Sequence, residues 1–324
     1  MTISARSRTL LKILVSLGLL AWLAFSIDWN ELSRVLLHID YKWIAVAVLW
    51  IVLSVVISVY KWQVILRVQG LDPGWTELWK AYWAGLFFNN FLPSSIGGDA
   101  MRIYWITKKN SDTAGSLTSV VAERILATTG LALTGLLGGL LVATSFQPLF
   151  FIFLLLIAAS LGLLAIITAG KLPGWIERKS GRAVSFLKRI AGHGTRFQGN
   201  IKAITGVILL SVLFQVAVVG VNHAIFQALH LSNLGWPVAL YVIPATSVAA
   251  MIPVGINGYG IREGAYMTLL AGYGTAQGTA FAASLLFAFL VSICSLYGGL
   301  VWLMQRDKGG NQSAAIESIY DRKQ

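Results

Sequence analysis

The chain has 324 residues, of which 56% are hydrophobic and only 12% charged. A soluble domain carries about 25% charged residues to solvate its surface, so a soluble fold with its own active site is excluded. The one cysteine, Cys294, rules out an intrachain disulfide. The net charge of +12 flanks apolar runs and forms no separate basic domain, which excludes a nucleic-acid-binding module.

Taken in chain order, residues 10–27 form a first apolar span behind Arg6, Arg8 and Lys12. Further runs long enough to cross the roughly 30 Å hydrocarbon core fall at 41–66, 114–144, 148–168, 201–228 and 276–304. Two regions differ. Segment 78–92 is apolar but short, breaks at Pro93-Ser94-Ser95-Ile96-Gly97-Gly98, and resumes as a second short piece ending in Lys108-Lys109. Segment 238–252 breaks in the same way at Pro253 and resumes after Asn257, Gly258 and Gly260. Proline ends one half-helix and glycine lets the backbone turn before the next. Both regions read as re-entrant hairpins, which survive at membrane depth only where protein or a water-filled cavity covers them. The expected class is an all-α polytopic membrane protein with about six full spans and two such hairpins.

Lysine and arginine set the orientation. The 171–202 connection carries eight of them against the single acid Glu177, and Arg306 and Lys308 follow the last span. The positive-inside rule then places this connection and both termini in the cytoplasm, with the cytoplasmic (inner) membrane as the location. Residues 171–200 form the basic connection and 305–324 a polar tail.

Shifting the sequence by 160 residues superposes its halves. Pro93 falls on Pro253, Gly98 on Gly258, Arg102 on Arg262, and Gly138-Gly139 on Gly298-Gly299. The repeats run 41–144 and 201–304. The extra crossing at 148–168 makes the second an upside-down copy of the first, an arrangement that in transporters places the substrate site at the repeat interface.

The second half of each hairpin starts near mid-depth, at Gly97-Gly98 and at Gly258-Gly260. Free N–H groups and the positive end of the helix dipole there suit an anion. Arg102 and Arg262 follow one turn later, where a guanidinium can grip a phosphate. One reading has these arginines clamping an anionic headgroup. The other has them tying each hairpin to a carboxylate, with Asp99 and Glu263 at hand. Glu123 and Arg124 are adjacent on a helix and point about 100° apart, so each needs a partner elsewhere: Arg102 for Glu123 and Asp99 for Arg124. Asp99, Glu123 and Glu263 are also candidates for proton coupling. Asn89, Asn90 and Asn257 line the hairpin tips, where one reading has their side chains simply satisfying the broken backbone. The four histidines are scattered and no phosphate-binding loop or metal motif occurs, so neither a metal nor a cofactor is expected.

The strings NNFLPSSIGGDAMR, AER at 122–124 and IPVGINGYGIRE resemble the lysylphosphatidylglycerol synthase transmembrane family, also described as flippase-like. The resemblance runs from about residue 10 to 305 and covers Pro93, Gly97, Gly98, Asp99, Arg102, Glu123, Arg124, Pro253, Gly258, Gly260, Arg262 and Glu263. It implies a lipid-handling membrane region of the kind that moves aminoacylated phosphatidylglycerol between leaflets in bifunctional members. The aminoacyltransferase domain of those members is not expected here, since about twenty polar residues follow position 305. The expected function is a non-enzymatic flippase for an anionic lipid, with membrane lipids and a lipid-synthesis enzyme as partners. The alternative is an accessory protein or transferase in phospholipid or glycolipid synthesis, with Asp99, Glu123 and His223 as its chemistry.

Overall fold

The computed structural model describes residues 37–92, 97–142, 147–171, 181–252 and 258–321, with side chains given up to 305 in the last helix. The expected span at 10–27, the two hairpin prolines Pro93 and Pro253, Asn257, and part of the basic connection lie outside the described residues. All regular structure among the described residues is helical.

The first repeat region holds α1 (Tyr41–Val68), α2 (Trp75–Phe91), α3 (Gly97–Asn110) and α4 (Thr113–Val142). After α5 (Gln147–Ala169) and the short α6 (Arg182–Thr195), the same succession returns as α7 (Ile201–Ala228), α8 (Trp236–Ala250), α9 (Ile261–Ala271) and α10 (Gln277–Asp321). Among the described residues, five helices are long and apolar enough to cross a membrane: α1, α4, α5, α7 and residues 277–305 of α10. Helix α5 packs on α4 with one face and turns Phe151, Leu155, Leu163 and Ile166 outward, as a lipid-facing helix must.

Contacts at the two ends of the bundle show which way each helix runs. At one end, Gln69 after α1, Asp112 before α4 and His193 on α6 meet. The His193 ring approaches Gln69 Oε1 at 3.0 Å and Asp112 Oδ2 at 3.3 Å. Burial pushes the His193 imidazole below its usual range, against the pull of Asp112. Asp112 also caps α4, accepting from the Gly115 N–H at 2.9 Å. At the other end, the Asp40 N–H before α1 donates to the Ala228 carbonyl that closes α7, at 3.1 Å. Helices α1 and α7 are therefore antiparallel, and Trp50 against Gly220 and Lys61 against Phe214 continue that register.

The broken segments open at opposite ends. Helix α2 starts near the Gln69 end and α3 returns to it, with Trp105 Nε1 donating to Glu77 Oε2 at 3.3 Å. Helix α8 starts, and α9 finishes, at the Asp40 end, where Asn233 Nδ2 donates to the Tyr273 carbonyl at 2.8 Å.

Packing is reciprocal between the halves. Helix α2 lies on α10, and α8 lies on α4. Exchanging α1–α4 for α7–α10 maps every packed pair among these eight helices onto another packed pair. Both crossings use the paired glycines. A Cβ on Gly138 would sit 2.4 Å from the Leu240 carbonyl carbon, and one on Gly298 would sit 1.9 Å from the Trp83 carbonyl oxygen. Small residues let helix backbones approach in this way where lipid offers no hydrophobic drive to associate. Pro244, inside α8, cannot donate to the Leu240 carbonyl, one of the groups resting against Gly138.

Gly298→Ala must push α10 off α2 and should lower the thermal stability of the purified protein by roughly 1–3 kcal/mol or more, the cost of overpacking. Gly206→Ala has nothing within 4 Å of the added carbon and should leave the melting temperature unchanged or slightly raised. Equal melting curves for the two variants would contradict the close approach.

Candidate functional site

The charged residues singled out from the sequence in the first hairpin converge. Arg102 on α3 and Glu123 on α4 are buried and in direct contact, with Arg102 Nη2 donating to Glu123 Oε2. The other Glu123 oxygen lies 3.4 Å from Lys61 Nζ on α1, whose side chain is 2% exposed. Asp99 accepts both nitrogens of one edge of Arg124, at 2.9 and 2.8 Å, and lies 3.6 Å from Arg102 Nη1. Three cations and two carboxylates thus tie α1, α3 and α4 together. The partners are those assigned from the sequence for Glu123 and Arg124.

Aromatic rings complete the socket. The Arg102 guanidinium lies 4.1 Å from the Trp62 ring centroid and 4.7 Å from that of Tyr82, so α1 and α2 hold it by cation–π contact as well as by charge. Trp62 is fixed in turn by its indole N–H, which donates to Ser119 Oγ at 3.1 Å. Gly85 and Gly98 let α2 and α3 close over this group: a Cβ on Gly85 would reach Arg102 Cγ at 2.8 Å, and one on Gly98 would reach the Gly85 carbonyl oxygen at 2.1 Å. Gly97 is the first residue of α3 and packs against Leu92.

The second hairpin is built differently. Glu263 is fully buried, yet its carboxylate turns back on its own helix start. It accepts from the Gly260 N–H at 2.6 Å and lies 3.3 Å from Ser284 Oγ on α10. Position 284 is the counterpart of Arg124, and 283, an alanine, is the counterpart of Glu123. The Arg262 guanidinium lies 5.8 Å from the ring centroids of both Tyr259 and Phe287. Gly258 and Gly260 have φ of +76° and +84°, which a side chain would strain. Nearby, Tyr266 Oη donates to Asn222 Oδ1 on α7.

In this conformation two of the N–H groups read as anion sites have protein partners: Gly98 N donates to Asn89 Oδ1 at 2.9 Å, and Gly260 N to Glu263. The protein caps these half-helices itself, as buried backbone donors require. Arg102, engaged by two carboxylates and two rings, is held as a structural cation in this conformation. Asn90 sits near the end of α2, and its buried Nδ2 has no hydrogen-bond partner. Lys61, Trp62 and Tyr82 were missed from the sequence. The signal for Lys61 was present, because a lysine inside an otherwise apolar span is costly unless paired.

A cavity of about 630 Å³ opens at the end of the bundle where α2 begins and α3 ends. Lys108, Lys109, Tyr104 and Trp105 of α3 line it, with Glu77 of α2 and Trp302 and Gln305 of α10.

This all-helical membrane bundle, with two broken segments and a buried ion cluster, matches the family model for the lysylphosphatidylglycerol synthase transmembrane region across residues 9–298. The chain belongs to that family. It is 31% identical over 158 residues to a UPF0104 membrane protein of Methanocaldococcus jannaschii, covering 48% of this chain and 46% of that one. It is 27% identical over 104 residues to a UPF0104 membrane protein of Pyrococcus horikoshii, covering 30% and 31% respectively. The matches thus span less than half the length of either relative.

Glu123→Gln leaves Lys61 and Arg102 buried with their shared counter-charge removed. It should cost about 3–5 kcal/mol, as breaking a buried pair does, read as a loss of thermal stability or of folded yield. Lys61→Met added to Glu123→Gln should recover part of that loss; additive losses would show that Lys61 and Glu123 do not interact.

Proposed function

We propose that this protein moves a lipid with an anionic, phosphate-bearing headgroup between the leaflets of the membrane. The observation that supports this reading best is the antiparallel pairing of α1 with its repeat counterpart α7, together with hairpins that open at opposite ends. A repeat and its inverted copy give a transporter two related gates around one midplane region, one facing each side. An enzyme working from one face has no need of that symmetry.

In this reading the lysine- and arginine-rich end, with Lys108, Lys109 and Arg196, faces the cytoplasm. The hairpin α2–α3 enters from that side, and α8–α9 enters from the other. The headgroup passes between the hairpins while its acyl chains stay in the bilayer. Arg262, at the start of α9 beside the bent Gly258–Gly260 segment, is the cation assigned to meet the headgroup from the far side. Arg102 acts behind the site by holding the first hairpin to α1 and α4. Asp99, Glu123 and Glu263 balance charge, and any ionic coupling of transport would involve them. No catalytic step is assigned to the chain, and a lipid-synthesis enzyme that produces the cargo would be a natural partner.

The test is headgroup accessibility in proteoliposomes. Fluorescent phosphatidylglycerol and phosphatidylcholine are compared by a membrane-impermeant quencher, with wild-type protein and Arg262→Ala. Faster loss of the protected anionic lipid is expected in the wild type, and a slower rate in Arg262→Ala at unchanged folded yield. No acceleration for any lipid, with protein shown to be folded, would contradict transport.

A further inference from the structure

Arg124 holds an unusual position for a charged residue in a membrane bundle. It stands eleven residues after Thr113, where α4 leaves the His193–Asp112 end, so it lies about 16 Å along the helix from that end. Its partner Asp99 stands eleven residues before Asn110 on α3 and reaches the same depth from the same end. The Arg124 side chain is nonetheless 56% exposed. Only its Nε and Nη2 atoms meet Asp99, and Nη1 has no partner among the described residues. A charge exposed to hydrocarbon at such depth is costly, and ionisable residues inside membranes almost always face a bundle interior or a water-filled cavity.

The neighbouring exposed surface runs from Arg124 past the apolar Val121 and Ala100 to Tyr104 and Lys108. On α4, Val121 and Arg124 are exposed, and half-buried Thr128 follows one turn on, its hydroxyl bonded back to the Arg124 carbonyl. On α3, Ala100, Tyr104 and Lys108 are exposed at a spacing of four and so share one face. Tyr104 and Lys108 also line the 630 Å³ cavity, with Lys109 beside them. This surface therefore starts in a basic, aromatic-walled cavity at the bundle end and leads inward to Arg124.

From this we infer a hydrated groove along the outer face of α3 and α4, in which a phosphate-bearing group enters at Lys108 and Lys109 and reaches Arg124 Nη1 at depth. The inference rests on the transport reading and adds to it the route and the headgroup chemistry on one side. Lysines at the mouth act as mobile point charges. Arg124 offers a fixed guanidinium edge already oriented by Asp99, so little side-chain entropy is lost on meeting a phosphate oxygen. Tyr104 and the two tryptophans suit the boundary between headgroups and tails.

The experiment uses single cysteines in a Cys294→Ser background, reconstituted in nanodiscs. Tyr104→Cys, Val121→Cys and Thr128→Cys are compared with Leu155→Cys, on the lipid-facing side of α5 and itself 68% exposed. A charged, water-soluble thiol reagent should label the three groove positions faster than Leu155→Cys by on the order of a hundredfold, which follows from the cost of carrying a charge into hydrocarbon. In discs containing phosphatidylglycerol, labelling at Val121→Cys should slow several-fold relative to phosphatidylcholine alone. Arg124→Gln combined with Asp99→Asn, which removes the pair without leaving a lone charge, should abolish that protection. Protection by soluble glycerol phosphate and not by phosphatidylglycerol would replace the lipid by a free phosphate compound and overturn the lipid route. Labelling of the groove no faster than Leu155→Cys, or rapid labelling unprotected by either phosphate source, would overturn the groove as a ligand path. Because labelling is read without transport, either result is independent of the flippase assay.

Discussion

The structure depends on one carboxylate. Glu123 sits inside a helical membrane bundle, and its two oxygens meet a lysine from α1 and an arginine from α3. An ion so placed is tolerated only if it is paired. Pairing it therefore determines where α1, α3 and α4 must lie relative to one another. The broken hairpin is held by this cluster and by the glycine contact between α2 and α3, since short half-helices have too little apolar surface to hold themselves in place. The second hairpin reaches the same end by another route, with Glu263 capping its own helix and meeting Ser284. Related architecture is thus anchored by different chemistry in each half.

That asymmetry has a mechanical consequence. The first hairpin is clamped by charges shared among several helices, whereas in the second Glu263 caps its own helix start and meets Ser284 of α10, and Tyr266 reaches Asn222 of α7. A transporter that alternates between two gates needs unequal barriers if one side is to be the resting state. Displacing the first hairpin would separate desolvated ions, which is costly. In the transport cycle we propose, the resting form keeps the α2–α3 hairpin seated and the groove beside Arg124 receives the headgroup.

Much of this was legible in the sequence. Apolar run lengths located the five long helices among the described residues, and the two short apolar regions appear as the helix pairs α2–α3 and α8–α9, because helix length and interruption follow from bilayer thickness and backbone sterics. The partners of Glu123 and Arg124 were legible too, since buried charges must be satisfied and few opposite charges were available. The matched pairs Gly138-Gly139 and Gly298-Gly299 looked like composition in a glycine-rich chain; only the packed bundle shows both at equivalent helix crossings. Lys61 stood out as a lysine within an apolar span, but spacing named no partner for it, and Trp62 and Tyr82 were hidden by the abundance of aromatic residues. That Asn89 serves the broken backbone was one reading of the sequence, and it is seen at Gly98, whereas the capping of Gly260 by Glu263 depended on hairpin geometry that spacing alone does not fix.

The central claim is that the two hairpins open on opposite faces of the membrane. Single cysteines at Lys109→Cys and Tyr273→Cys, in a Cys294→Ser background, report the two openings. A membrane-impermeant maleimide is applied to intact cells and then to permeabilised cells. The account predicts that Tyr273→Cys is labelled in intact cells and Lys109→Cys only after permeabilisation. Labelling of both positions from the same side would contradict the inverted arrangement.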